Sequence, residues 1–238
     1  WARSTAAMCF GCALRPLYGK EASPGAERGP RRAGQAGNPA GGPGAEGAWS
    51  AVVHPRESLE YVKKLEASGK YVLTVWPYHT LLGGLSHALV PAVMEAALFH
   101  AHARKHQTHF ETKGTHAMTE NYSVLSPEVT EVGGQVVGGF NTPFFKLLMD
   151  YDRVYVFGQA KSHCVLSTLN DMRAHLEKTD PGLLRKIWIL EDAMSPVPPP
   201  PLDPLPDALN FPRIADQAIE AWRKAGMHVV KTTDPIVL

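Results

Sequence analysis

From Pro55 onward the chain alternates two hydrophobic rhythms. "ESLEYVKKLEASGK" carries Leu59, Val62 and Leu65 at helical spacing, and Gly69 follows as a C-terminal stop. "YVLTVW" is a short apolar run that predicts a buried strand. "SHALVPAVMEAALFHAHARKHQ" returns to the helical period, with Pro91 tolerated in its first turns. "THFETKG" predicts a strand leading into a loop that holds Lys113. The alternation then continues: "TPFFKLLMDYD" helix, "RVYVFG" strand, "HCVLSTLNDMRAHLEK" helix, "KIWILED" strand, "ALNFPRIADQAIEAWRKAG" helix interrupted near Pro212, and "MHVVKT" strand. Strand and helix in turn predict an α/β fold with a mostly parallel sheet flanked by helices.

Residues 1–50 break that rhythm. Gly, Ala and Pro dominate "ASPGAERGPRRAGQAGNPAGGPGAEGA", and few residues there have a large apolar side chain to bury, so this segment is expected to be disordered and residues 51–238 to form the domain. A second proline-rich stretch, "SPVPPPPLDPLPDA", must be extended, because proline fixes φ and lacks an amide donor. It is read as a stiff loop, with a PxxP ligand for a partner domain as the other option.

Charge and composition then narrow the function. A net charge of +1 with both signs interspersed gives no reason to expect a nucleic-acid partner. The longest apolar run, "HALVPAVMEAALF", is too short to span a bilayer, so no membrane role is expected. Three cysteines cannot build a disulfide framework, and no leader pattern opens the chain, which together suggest a cytoplasmic setting.

Cys164 stands where a strand gives way to a helix, at the carboxyl edge where parallel sheets bind ligands. A helix N-terminus favours thiolate over thiol, and a neighbouring lysine adds to that effect. An inert buried cysteine is the alternative, since free cysteines behave mostly as small hydrophobes.

At this point the residues resemble a family. "VYVFGQAKSHCVLSTLNDM" is similar to the nucleophile motif of the isochorismatase-like cysteine hydrolases, which include the nicotinamidases. "ETKGTHAMTENYS", "TVWPYHTLLGGLSHAL" and "IWILEDAMS" resemble three more segments of that family in the same order. The resemblance covers roughly residues 57–231 and implies a Rossmann-like, isochorismatase-like fold. It also implies hydrolysis of a carbon–nitrogen bond in a small-molecule amide through a thioester. Cys164 would be the nucleophile and Lys113 the cation beside it, with the backbone N–H groups of Ala160 and Cys164 binding the oxyanion and a cis bond between Gln159 and Ala160. Trp76 and Tyr122 would contact substrate, with a core role equally open for Trp76. His79 would be a ligand for a divalent metal such as zinc, although a lone histidine without partner ligands more often serves as a hydrogen-bonded loop residue. Family members often assemble, so a homo-oligomer is a further expectation.

The sequence also departs from the family. No aspartate precedes Asp150, so the family's catalytic aspartate is missing, and the Gly/Pro-rich segment occupies the place of its first strands. The fold is therefore expected to lack those strands, through an amino-terminal part that is incomplete or replaced. Thr80 stands for a usual cysteine and Gly84 for a usual threonine; Glu46 and Glu57 are the acidic residues considered as substitutes for the aspartate. A non-catalytic relative kept for binding or assembly, and an inactive truncated fragment, are the alternatives. Other signals are read as background: "CFGC" at Cys9 and Cys12 as chance, His102 and His106 as part of a solvated face, "RGPRR" as too short to name as a signal, and Asp192 as a loop stabiliser.

Overall fold

The structure, a computed structural model, describes residues 5–10, 31–32, 53–71, 73–75, 81 and 83–235. Its centre is a parallel sheet in the order β1-β6-β7-β8, formed by β1 (Thr5–Phe10), β6 (Arg153–Gly158), β7 (Ile187–Leu190) and β8 (His228–Val230). Between the last three strands lie α4 (Cys164–Thr179) and α5 (Phe211–Lys224), the crossover helices that parallel strands require. Val154, Val156, Ile187 and Ile189 are fully buried, as expected for strands covered by helices. α4 presents Val165, Leu169, Met172 and Leu176 to this core, and α5 presents Ala215, Ile219 and Trp222. These spacings are the helical period read from the sequence.

A second group of elements lies between β1 and β6 in the chain. It contains β2 (Arg31–Arg32), α1 (Pro55–Ala67), β3 (Thr74–Val75), α2 (Pro91–Arg104), β4 (Glu131–Val132), β5 (Gln135–Val136) and α3 (Thr142–Met149). β4 and β5 pair antiparallel across Gly133 and Gly134, whose φ values of 60° and 71° are those a two-residue hairpin turn demands. Tyr61 and Leu65 of α1 pack with Leu73, Val129, Val132 and Val137 into a satellite core. No helix among the described residues is long and apolar enough to cross a membrane.

Before residue 50, "TAAMCF" forms β1 beside β6, and Arg31–Arg32 of the basic run pairs antiparallel with Thr74–Val75. Other expectations need correction. "THFETKG" is an irregular loop, held by side chains: Thr108 Oγ1 donates to the Ala97 carbonyl at 3.2 Å, and Glu111 accepts from Asn141 Nδ2 at 2.8 Å. On α1 the buried face is Ser58, Tyr61 and Leu65, and Leu59 is exposed. α2 begins at Pro91, with proline where a first-turn amide needs no partner, and it buries no side chain. α5 likewise begins at Phe211, so Pro212 opens the helix and does not interrupt it.

Candidate active site

The carboxyl end of β6 delivers the chain into a tight turn before α4. The Gln159–Ala160 peptide is cis, as the resemblance implies. The Ala160 carbonyl accepts from both the His163 N–H at 3.0 Å and the Val165 N–H at 3.2 Å, which folds residues 160–165 around it. From outside, the start of the proline-rich stretch ties this turn down. Lys161 N–H donates to the Ser195 carbonyl at 2.9 Å, Val197 N–H donates to Ser162 Oγ at 3.0 Å, and Gln159 Nε2 donates to Ser195 Oγ at 3.0 Å. The stiff loop therefore braces the turn that presents Cys164. Sequence reasoning missed Ser162 and Ser195, whose hydroxyl roles exist only once the two segments meet.

Cys164 opens α4 and is 1% exposed. It is disulfide-bonded. Cys9 and Cys12 are the other two cysteines of the sequence. Reactivity of this sulfur as a nucleophile accordingly belongs to the reduced chain.

Lys113 comes from the loop after α2, and its ammonium donates to the Tyr122 carbonyl. Burial lowers its pKa to about 7, opposed by the negative charge of Glu128. Such a lysine exchanges a proton near neutrality, which an exposed lysine does not. Tyr122 joins this group to the turn before Cys164. Its buried ring packs edge-on against Tyr71 at 5.0 Å and lies tilted against His163, the residue before Cys164, at 5.5 Å. Lys113 and Cys164 thus share Tyr122 as a common neighbour, one through its backbone and the other through His163. Trp76, His79, Thr80 and Glu46 lie outside the described residues. Glu57 occupies the first turn of α1, 4.0 Å from His54.

Around Tyr122 lies a set of acids that the sequence did not announce. Tyr61 Oη donates to Glu120 Oε2 at 3.0 Å and Tyr71 Oη donates to the same oxygen at 3.4 Å. Burial pushes the Glu120 carboxyl up to about 7 despite these bonds. Glu128 and Asp171 are pushed up as well, first by burial, and Asp171 Oδ2 is buried without a hydrogen-bond partner among the described residues. Nothing in "TENYS" or "SPEVTEV" distinguishes these glutamates from surface acids, because their enclosure comes from α1 and the loop at Lys70.

A stability prediction follows from Glu120. Its folded pKa lies above the unfolded one, so its contribution is complete below about pH 4.5 and is lost as pH rises through about 7. Glu120→Gln keeps an acceptor for both tyrosines and does not titrate. It is expected to be more stable than the parent at pH 8 by about 1 to 3 kcal/mol, with most of that advantage gone at pH 5. Urea denaturation at the two pH values measures this.

As to metal, among the described residues no group of three or more His, Cys, Asp or Glu side chains is placed to hold an ion. His102 is exposed, and His106 pairs through Nδ1 with the Gln107 carbonyl at 2.7 Å. Asp192 accepts from Thr232 N–H at 2.8 Å and from Thr232 Oγ1 at 2.7 Å, the loop-stabilising role read from the sequence.

No family model matches the chain, and no curated protein matches it. The solved structures it resembles are nicotinamidases and pyrazinamidases. The chain is similar to the Acinetobacter baumanii nicotinamidase with a TM-score of 0.42 and 19% identity, over 68% of this chain and 62% of that one. It is similar to the yeast nicotinamidase bound to the inhibitor nicotinaldehyde at 0.42 and 16%, over 68% and 60%. For the Pyrococcus horikoshii pyrazinamidase in complex with zinc the values are 0.39 and 18%, over 72% and 81%. The chain spans about three fifths of the length of the first two structures.

Proposed function

We propose that the reduced chain is a cysteine hydrolase acting on a small-molecule amide. The observation that carries this reading is the link through Tyr122 between a lysine that titrates near neutrality, bonded to the Tyr122 carbonyl, and the residue before the cysteine that opens α4, His163, packed on the Tyr122 ring. The Cys164 thiolate, favoured by the helix N-terminus and by the Lys113 ammonium, attacks the amide carbonyl carbon. The backbone amides of Ala160 and Cys164 are assigned to the developing oxyanion. As the tetrahedral intermediate collapses, the carbon–nitrogen bond breaks and the leaving amine takes a proton from Lys113. Neutral Lys113 then accepts a proton from the water that attacks the thioester, and collapse returns the thiolate and releases the acid. Each turnover consumes one water, and Lys113 ends as it began.

A pKa near the working pH suits a group that both gives and takes a proton. The test is ammonia release from nicotinamide and related small amides by the full chain after reduction. Lys113→Met is expected to cut this rate by about 10² to 10⁴. Undiminished turnover in that variant, or none in the parent, would remove the reading.

One observation favours a second reading, a non-catalytic protein that keeps the fold for binding or assembly: Cys164 is disulfide-bonded. That reading expects no amide turnover in either redox state.

A further inference from the structure

We propose that Glu128 is a positioning residue for Lys113, fixing the lysine through the Tyr122 peptide and supplying the negative charge that keeps it protonated. The inference rests on the reading of Lys113 as the acid and base of the site. Its geometric basis is one backbone unit with a charged side chain at each end. The Lys113 ammonium donates to the Tyr122 carbonyl, and the Tyr122 N–H donates to Glu128 Oε1 at 3.3 Å. The other carboxylate oxygen, Oε2, accepts from Lys70 Nζ at 3.0 Å, and the Glu128 N–H donates to the Glu120 carbonyl at 2.9 Å, which closes the loop between the two glutamates.

Burial makes the arrangement informative. The Glu128 side chain is 1% exposed, whereas its partner Lys70 is 42% exposed. A buried carboxylate is costly unless opposite charge compensates it, and a half-exposed lysine does so only in part. A neutral amide would serve the Tyr122 N–H equally well, so hydrogen bonding alone does not call for a charge here. The remaining compensation comes from Lys113, which forms no direct ion pair among the described residues and on which Glu128 acts through space. The charged and titratable groups around Glu128 are Lys70, Lys113, Glu120, Tyr61, Tyr71 and Asp171 of α4. Of these only the two lysines are cations.

The experiment follows lysine acetylation by acetic anhydride against pH in the reduced full chain, resolved by peptide mass spectrometry. A nearby opposite charge shifts a pKa by about 1 to 3 units at contact range, and across a peptide the lower end applies. Glu128→Gln is expected to lower the apparent pKa of Lys113 by about one unit, while Glu128→Asp, which keeps the charge, leaves it within a few tenths. Lys186, bonded to the Met149 carbonyl at 2.9 Å, is the unmoved reference. If Glu128→Gln fails to fold, Lys70→Gln replaces it. Without Lys70 the Glu128 carboxyl, already raised by burial, is raised further and loses its charge, and Lys113 shows the same fall. A Lys113 profile unchanged in the Gln variant, or moved equally by Asp and Gln, overturns the proposal. The shift with no amide turnover in the parent upholds the Glu128–Lys113 coupling and removes the hydrolase reading instead.

Discussion

Amide hydrolysis is expected to appear only after reduction, and Cys164→Ala is expected to lower it by about 10⁴-fold or more under the same conditions. Both effects come from one atom. In the structure Cys164 is disulfide-bonded, so its sulfur is not a thiolate and cannot attack until a dithiol reductant breaks the S–S bond and is itself oxidised. Reduction of the parent should therefore switch ammonia release on, and reduction of Cys164→Ala should not. The variant loses only a small, 1% exposed side chain at the first position of α4, where alanine is a good helix former. The fold is therefore expected to persist, and a loss of turnover with an unchanged melting curve assigns the effect to chemistry. Equal activity in the parent before and after reduction, or activity surviving in the variant, would remove Cys164 from the mechanism.

Trp222→Ala is expected to be the most damaging of the core substitutions, at about 3 to 5 kcal/mol, read from the urea midpoint. Trp222 is fully buried, and its place on α5 continues the line of Phe211, Ala215 and Ile219. Its indole Nε1 also donates to Asn170 Oδ1 at 2.9 Å, tying α5 to α4. The bond is the smaller part of the effect. Asn170 is exposed and turns to water when the indole is gone, so the cavity in the core dominates. Trp222→Phe, which fills most of that space, should cost about 1 to 3 kcal/mol. Because α4 begins at Cys164, the alanine variant should also loosen the nucleophile turn, and a loss of turnover preceding global unfolding would show it.

The contrast between these residues shows what can be read from the chain. "RVYVFG" coincides with β6 because a continuous apolar run between polar breaks is what a strand buried on both faces requires. "HCVLSTLNDMRAHLEK" coincides with α4 for the same kind of reason: Leu169, Met172 and Leu176 recur at helical spacing and are buried on its inner face. "THFETKG" misled because Phe110 and two threonines mimic strand composition, whereas strands are made by partners. Among the described residues none pairs with this segment, and Phe110 is exposed. On α1, Leu59 fitted the period but Tyr61 took the buried place, since Glu120 gives its hydroxyl a partner inside.

The site divides in the same way. Cys164 was legible from its strand-to-helix position, and Lys113 from the resemblance of "ETKG" to a family segment. Glu120, Glu128 and Asp171 were not, because an acid in a loop has no periodicity, and its unusual pKa arises only when distant segments close over it. The brace from Ser195 and Val197 onto residues 159–162 is hidden for the same reason: it joins segments over thirty residues apart.

The central claim is that Lys113 and Cys164 act as one unit, and the rate of Cys164 alkylation against pH tests it most directly. The reduced full chain is alkylated at a series of pH values, each cysteine is read separately by peptide mass spectrometry, and Lys113→Met is treated in parallel. The account predicts an apparent pKa for Cys164 well below the ~8.5 of a free thiol, rising toward that value in the lysine variant. A free-thiol value indifferent to Lys113 would contradict it.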